Sequence, residues 1–418
     1  MAAIQCSTNR FSEELEPGNA ENPRTLLEGE SILSFSLERW SHVWRSRHHI
    51  MSDLARSNKV LFASPPFYIR DALRDLGNGS EEATGVTKIT NNLHTYIPPR
   101  WLPTIFRYPK LDRQISALRV RHIRSVMHRL AMKKPILYIW HPSFADVVGA
   151  FNEALVVYHC YDEYSSFDAS NSESEIQEEQ ERALLKRADI VFTVSDKVRA
   201  RRLAFNPNIH VVNNGVDYPL FSRVQDAQTV VANDLRGIRR PIIGLVTTLT
   251  SITDIGLLRQ IFERRSDWSF VFIGLDQTPE HLMSEDLKAF QSLPNVHVIG
   301  RRTLQEIPSY LKGCDVCAIP WVINELSLSG SPLKLYEYLA SGRPVVSTPL
   351  QHLLPLDSVI AFASNANEWI EAIEAALRSG GPGTIDARQS IARENTWEKK
   401  VDFISQKVAQ ELALRREA

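Results

Sequence analysis

The stretch SPLKLYEYLASGRPVVSTP, Ser331 to Pro349, decides how the rest of the chain is read. Ser331 followed by Pro332 reads as a helix N-cap with a first-turn proline. Leu333, Tyr336, Leu339 and Ala340 recur at helical spacing and bury one face. Gly342 stops the helix, Pro344 guards the exit, and Val345 to Ser347 form a short buried strand. The first turn of such a helix presents N–H groups that no intrahelical carbonyl takes, which makes an anion site before any side chain is counted. Lys334 adds a full positive charge beside those donors. Glu337, one turn further on, is a carboxylate suited to gripping vicinal hydroxyls. Phosphate donors, a cation and a hydroxyl-gripping carboxylate within seven residues point to a nucleoside diphosphate. An ordinary helix of an α/β domain could carry the same short pattern.

Outward from this stretch, strands and helices alternate. PIIGLV (241–246), WSFVFIG (268–274), Asn295–Ile299 and Val316–Ile319 read as strands, with helices such as DIGLLRQIFERR between them. The first half shows the same alternation, with strands at Ile32–Phe35, 59–64, 86–90, 93–97, 135–140, 155–160, 189–195 and 210–217. A helix is expected from His48 to Arg56 and another in HPSFADVVGAF. Such alternation implies parallel βαβ units. The expected fold class is α/β, with two Rossmann-like doubly wound domains facing a central cleft, 30–217 and 241–395, joined by a charged linker at 218–240. Residues 1–29 read as a disordered tail. The segment 396–418, a helix following no further strand, is expected to cross back onto the first domain.

Composition narrows the classes. The 418 residues are 43% hydrophobic and 23% charged, a soluble globular balance, and a net charge of −1 argues against a chain built as a whole to bind polyanions. No apolar run approaches the ~20 residues that span a bilayer. MAAIQCSTNRFSEELEPGNAENPR lacks a basic-then-apolar leader pattern, so a cytoplasmic protein is expected. Four cysteines are too few for a disulfide framework, and Cys314 and Cys317, at a helix-to-strand junction with no second pair at zinc spacing, read as core packing. Residues 100–134 hold ten Lys or Arg against one acid, Asp112, with Trp101, Leu102, Ile105, Phe106 and Tyr108 at the start. This combination suits the inner face of an anionic membrane. A solvated helix face beside core aromatics is the plainer reading; no RNA-binding motif accompanies the charge, and no nucleic-acid partner is expected.

VNNGVD (212–217), PIIGLV, LPNVHVIGRR (293–302), CDVCAIPW and SPLKLYEYLASGRPVV, in this order, resemble the two-domain GT-B glycosyltransferases, and more narrowly bacterial polysaccharide enzymes of the teichuronic-acid and xanthan-assembly type. The resemblance covers most of residues 31–412 and is strongest in the second half. It implies a nucleotide-sugar donor in the second domain, UDP-linked first and GDP-linked second, and an acceptor in the first. Lys334 would contact the diphosphate, Glu337 the ribose, and Gly330, Ser331 and Pro332 would form the phosphate turn, with Thr248 after the first strand of that domain.

VYHCYDEYSSF (157–167) resembles the segment of the xanthan-type glucuronosyltransferase that carries its catalytic Asp, which makes Asp162 the candidate base for an inverting transfer to an acceptor hydroxyl. A cap for the following turn is the structural alternative for Asp162, and Glu163 is the reserve base. Arg45, Arg47 and His48 lie where such enzymes meet their acceptor and would suit a lipid diphosphate; a salt-bridged loop would carry the same residues. His141 is a further cleft candidate. Retaining relatives carry two Glu eight positions apart, yet counting back from Glu337 reaches Ser329, while Glu325, taken as a candidate substrate-binding carboxylate, lies twelve upstream. VTTLTSITD also lacks the Gly, Arg and Lys those enzymes place after the first donor-domain strand. These departures favour inversion; a retaining transferase with the same donor site, and a non-catalytic nucleotide-sugar-binding component of a polysaccharide assembly complex, remain as alternatives. No D-x-D occurs, so no metal and no cofactor beyond the donor is expected.

Overall fold

The structure, a computed structural model, describes residues 26–41, 44–70, 84–105, 109–161, 171–247, 251–274 and 292–417. Its two sheets follow directly from the apolar runs. The first contains β1 (Ser31–Phe35), β2 (Lys59–Ala63), β3 (Gly85–Lys88), β4 (Leu93–Ile97), β5 (Ile136–Ile139), β6 (Leu155–Cys160), β7 (Ile190–Thr193) and β8 (Ile209–Val211). Their spatial order is β3-β4-β2-β1-β5-β6-β7-β8, all parallel except β3 against β4. The second contains β9 (Ile242–Val246), β10 (Ser269–Ile273), β11 (Val296–Ile299), β12 (Val316–Ile319), β13 (Val345–Ser347) and β14 (Ile360–Phe362), in the order β11-β10-β9-β12-β13-β14 and wholly parallel. Every residue of β5, β6, β9, β10, β12 and β13 is buried, because helices cover both faces. The runs therefore lack the alternation of a half-exposed strand.

In each sheet the order reverses beside the first strand of the domain, between β1 and β5 and between β9 and β12. Loops leaving those paired strands diverge to opposite faces and open a crevice at the carboxyl ends. The first domain adds helices α1 (Ser46–Leu54), α2 (Pro109–Arg129), α3 (Asn171–Arg187) and α4 (Asp196–Arg202). The second adds α5 (Tyr218–Ser222), α6 (Ile255–Arg264), α7 (Ile307–Gly313), α8 (Glu325–Ser329), α9 (Leu333–Ala340), α10 (Ala366–Ser379) and α11 (Ile385–Glu394). The closing helix α12 (Trp397–Glu417) lays Trp397, Val401, Ile404, Val408 and Leu412 into one core with Ile32, Ile50 and Met51 of the first domain.

Several expectations are corrected. Residues 218–240 are no free linker: Asp217 caps α5 by accepting the Leu220 N–H at 3.1 Å, and Leu220, Phe221, Val224 and Leu235 are buried in the core of the second domain. Scattered among charged residues, these four apolar side chains escaped a composition-based reading. The proposed tail is too long by its last residues, since Leu27 is buried, donates its N–H to Ser405 Oγ at 2.7 Å and receives Asn58 Nδ2 at 2.8 Å on its carbonyl; residues 1–25 lie outside the described residues. HPSFADVVGAF forms only a 3-10 segment, Pro142–Val147, ended by Gly149 at a φ of +87°.

The strand expected over 210–217 stops at Val211. Beyond it, Val216 N–H donates to Asn395 O at 2.9 Å and Trp397 N–H to Val216 O at 3.1 Å, so the two chain crossings between domains are clasped together. A Cβ on Gly215 would stand 2.9 Å from the Trp397 backbone nitrogen, and glycine lets the crossings approach. Cys314 is packed likewise: a Cβ on Gly244 of β9 would lie 2.3 Å from its sulfur. Strand β14 and helix α8 had no counterpart in the sequence reading.

Candidate functional site at the domain cleft

Helix α9 begins one residue later than its sequence suggests. Pro332 is the N-cap, without a side-chain hydrogen bond, and Ser331 stands outside. The helix is fixed to the switch point of its sheet by Tyr338, whose hydroxyl accepts the Val246 N–H at the end of β9 at 2.8 Å. Leu335 through Ala340 are all buried, so the only part of α9 open to a ligand is its first turn.

That turn is not built quite as expected. The Gly330 N–H donates to Leu326 O at 3.0 Å and closes α8, and Pro332 has no N–H. The donors left for an anion are those of Ser331, Leu333 and Lys334. Lys334 Nζ reaches both Glu337 oxygens, at 2.9 and 3.1 Å. The Glu337 side chain is 4% exposed and that of Lys334 29%. Burial raises the Glu337 carboxyl above its usual range, while Lys334 opposes that shift. An ion pair taken out of water in this way contributes little net stability and is weakened by removing either partner. A ligand offering an anion to Lys334 and hydroxyls to Glu337 would satisfy both groups.

Around this turn lie further groups of the second sheet. The loops after β9 and β12 are joined: Asp254 N–H donates to Pro320 O at 2.9 Å and Val322 N–H to Ile252 O at 2.8 Å. Trp321 comes against Gly330, where a Cβ would sit 3.7 Å from the indole. Ser329 Oγ and Thr348 Oγ1 are buried without a hydrogen-bond partner among the described residues. Thr248 lies outside the described residues.

The first domain faces α9 with the start of α1. Arg45, Arg47 and His48 are not in a loop: Arg45 is the N-cap and the other two occupy the first helical turn. Arg47 is 1% exposed, pairs with Glu38 and lies over the Tyr161 ring at 5.1 Å, leaving its Nε without a hydrogen-bond partner. Arg45 Nε meets the same Glu38 carboxylate at 3.2 Å. His48 accepts the Arg45 N–H on Nδ1 at 3.1 Å, and its buried Nε2 is unpartnered. Burial, then the Arg47 charge, push the His48 imidazole down to about 4. His49 stacks on Trp397 at 4.9 Å and is pushed down to about 3 by burial, then by His48 and by Lys334 across the cleft. Trp44 packs on the core of the second domain and Leu333 on that of the first, so the starts of α1 and α9 oppose one another.

The remaining expected residues separate from this centre. His141 caps the segment after β5 by accepting the Ser143 N–H at 3.2 Å; burial pushes it down to about 4, which keeps it neutral. Glu325, expected to meet substrate, instead takes Lys197 Nζ at 3.0 Å and Arg201 at 2.5 Å from helix α4 of the first domain. The distance in sequence from Glu337 gave no hint of that partner. Asp162 and Glu163, directly after Tyr161, lie outside the described residues. Sequence reasoning missed Ser195, Asn213 and Asn214, which reach the α9 turn from the first domain; VNNGVD was noticed as a pattern, without roles for its two asparagines.

Residues 248–379 match the family described as glycosyl transferases group 1. The chain is 27% identical over 276 residues, 62% of its length and 68% of the relative's, to a protein of Bacillus subtilis (strain 168) named as the teichuronic acid biosynthesis glycosyltransferase TuaH. Among solved structures it resembles sucrose-phosphate synthase from Thermosynechococcus elongatus, with a TM-score of 0.68 at 14% identity over 92% of this chain and 100% of that one. HepE of Anabaena, in complex with UDP and glucose, gives 0.62 at 13% identity over 92% and 99%. The α,α-trehalose 6-phosphate synthase of Burkholderia multivorans gives 0.62 at 10% identity over 92% and 100%.

Proposed function

We propose that this chain, whose fold is that of the two-domain glycosyltransferase structures it resembles, is a glycosyltransferase that moves a sugar from a uridine diphosphate donor to a hydroxyl of a lipid-linked or polysaccharide-precursor acceptor, inverting the anomeric centre without a metal. The observation that carries the donor half is the Lys334–Glu337 pair at the start of α9, a buried carboxylate and a half-buried cation beside three N–H donors. Lys334 and the N–H groups of Ser331, Leu333 and Lys334 receive the diphosphate, and Glu337 accepts two ribose hydroxyls. The choice of uridine rests on the resemblance of the sequence motifs and is supported by the UDP complex of the Anabaena neighbour.

In the transfer, the acceptor oxygen forms a bond to the anomeric carbon as the bond from that carbon to the diphosphate oxygen breaks. The acceptor's proton passes to Asp162, and the charge that develops on the diphosphate is met by Lys334 and the helix donors. Arg45, Arg47 and His48 flank the acceptor's own phosphate. Arg47 sits against Tyr161, the neighbour of Asp162 in the chain.

A position at the cytoplasmic leaflet is supported by the basic face of α2. Trp101 is 68% exposed with its ring edge on His122, Leu111 and Leu118 are exposed beside Arg113, Arg121 and Arg129, and no described helix is long and apolar enough to cross a membrane. Aromatic and basic groups on one face give shallow insertion plus attraction to anionic headgroups.

The test is thermal stabilisation by a panel of nucleoside diphosphates and their sugars, repeated with Lys334→Ala. A ligand at about 100 times its dissociation constant should stabilise by about 2.7 kcal/mol. A shift with UDP or a UDP-sugar that disappears in the variant is expected; no shift with any member would overturn the donor assignment.

A further inference from the structure

The α9 turn is held from the other domain. Ser195 Oγ donates to Ser329 O at 2.7 Å across 134 residues of sequence. Asn214 Nδ2 donates to Ser331 O at 2.7 Å. Asn213 Nδ2 reaches the Tyr336 hydroxyl at 3.2 Å, one turn along the helix. Ser195 stands just before α4, and the two asparagines just after β8, so all three project from carboxyl ends of neighbouring strands, β7 and β8.

Their placement matters because of what lies between them. A peptide group is planar, so fixing a carbonyl oxygen fixes the whole unit. The unit containing the Ser331 N–H sits between the Ser329 and Ser331 carbonyls, both clamped from the first domain. Its flanking residue is Gly330, in extended backbone with φ −79° and ψ 173°, and a glycine cannot hold an N–H in one direction by its own sterics. With the clamps in place the direction is set; without them this N–H donor of the phosphate turn is directed only through the neighbouring Gly330 N–H bond to Leu326 O.

We infer that Ser195, Asn213 and Asn214 are positioning residues for the donor: from the first domain they hold the Ser331 N–H in the direction that meets the diphosphate. The Glu325 contacts with Lys197 and Arg201 lie on the same interface and close its rim. This inference rests on the donor site proposed above, with UDP as the probe.

Calorimetric titration of UDP into the full chain tests it, with Asn214→Ala, Asn214→Asp, Ser195→Ala and Ser195→Thr. Asn214→Ala and Ser195→Ala should each weaken UDP about tenfold, the loss of one well-placed hydrogen bond. Asn214→Asp keeps the shape but sets an acceptor against the Ser331 carbonyl, and should weaken UDP further. Ser195→Thr keeps the hydroxyl and should restore wild-type binding. The ligand-free melting temperature of Asn214→Ala and Asn214→Asp should stay near that of the wild type, which a purely structural role would not allow. Should Ser195→Ala fail to fold through loss of the α4 cap, the Asn214 pair decides alone. UDP binding unchanged in both Asn214 variants overturns the inference and leaves the donor site standing. A wild-type protein that binds no nucleoside diphosphate overturns both.

Discussion

The two sheets are wound alike and equipped differently. In each, the first strand of the domain lies centrally and the order reverses at its side, between β1 and β5 or between β9 and β12. In the second domain the chemistry beside that point is concentrated in one turn, Ser331 to Glu337, whose donors, cation and carboxylate are adjacent in sequence. In the first domain it is dispersed: Glu38 before α1, Arg45 to His48 at its start and Tyr161 after β6 meet only through the fold. A common scaffold thus supports one cluster contained in a single turn, and another assembled from separate loops that can be changed singly. This division fits a donor half and an acceptor half.

The sharpest way to break that division is to remove one group from each half. Asp162→Asn should lower the rate of transfer by roughly 10²–10⁴, the usual contribution of a positioned base, and leave UDP binding intact. Lys334→Ala should cost roughly 10²–10³ in transfer, as loss of a charge-stabilising donor does, and weaken UDP as well. Steady-state rates and nucleotide titrations on both variants check the pair. An Asp162→Asn enzyme with undiminished turnover would remove the base assignment; equal losses of nucleotide binding in both would erase the distinction between halves.

Legibility in the sequence followed the same line. Helix α9 was readable because its cap, its apolar spacing and its stop are all local, and the sheet strands because buried parallel strands are uninterrupted apolar runs. Local signals failed where partners are remote. Glu325 looked like a ligand-binding carboxylate because nothing nearby claimed it, yet Lys197 and Arg201 lie in the other domain. Arg45 and Arg47 were placed in a loop because α1 opens on SRHH, a weakly amphipathic run whose burial comes from packing on Trp397 and its neighbours, not from its own pattern. The 218–240 segment misled in the opposite sense: Leu220, Phe221, Val224 and Leu235 turn inward, although Val230 among them stays exposed.

A smaller effect separates the domains by pH. The first domain buries His48, His49, His141 and His159, pushed down to about 4, 3, 4 and 3, in each case chiefly by burial. A histidine whose folded value lies below its unfolded 6.5 contributes stability that is intact above 6.5 and is lost as the pH falls toward the folded value. The cost is about 1.4 kcal/mol per pH unit for each such group. Glu337 in the second domain has the opposite sign: its raised carboxyl makes the fold less stable as pH rises through the folded value. His159 donates or accepts at Tyr138 Oη, 2.7 Å away, and stacks on Trp140, so His159→Phe preserves the ring contact. Denaturant midpoints measured at pH 7 and pH 5 should show about 2 kcal/mol less acid destabilisation in this variant than in the wild type. Equal acid sensitivity would mean that His159 does not resist protonation in the fold.

The smallest effect belongs to the outer side of helix α2, which covers one face of the first sheet over β1, β2, β4 and β5. Helix α2 turns Ile123, Val126 and Met127 into the core, and this inward face fixes which residues look out. The outward side carries Arg113, Arg121 and Arg129, and Trp101 stands beside it on His122. Tyr68 is joined to the same patch through its bridge to Thr104 and is 54% exposed. An aromatic ring inserted at the headgroup level contributes a fraction of its full burial energy, and each nearby basic residue about 1 kcal/mol at an anionic surface. Trp101→Ser should therefore reduce partition onto vesicles of phosphatidylglycerol and phosphatidylcholine by several-fold, while Arg121→Glu should make the remaining binding less sensitive to the anionic fraction. Both variants should titrate UDP as the wild type does, because neither residue touches the cleft. Sedimentation with vesicles of increasing anionic content measures the two contributions separately. A wild-type protein that stays in the supernatant at every composition would confine the chemistry of this molecule to its cleft and leave the basic helix as a solvated face.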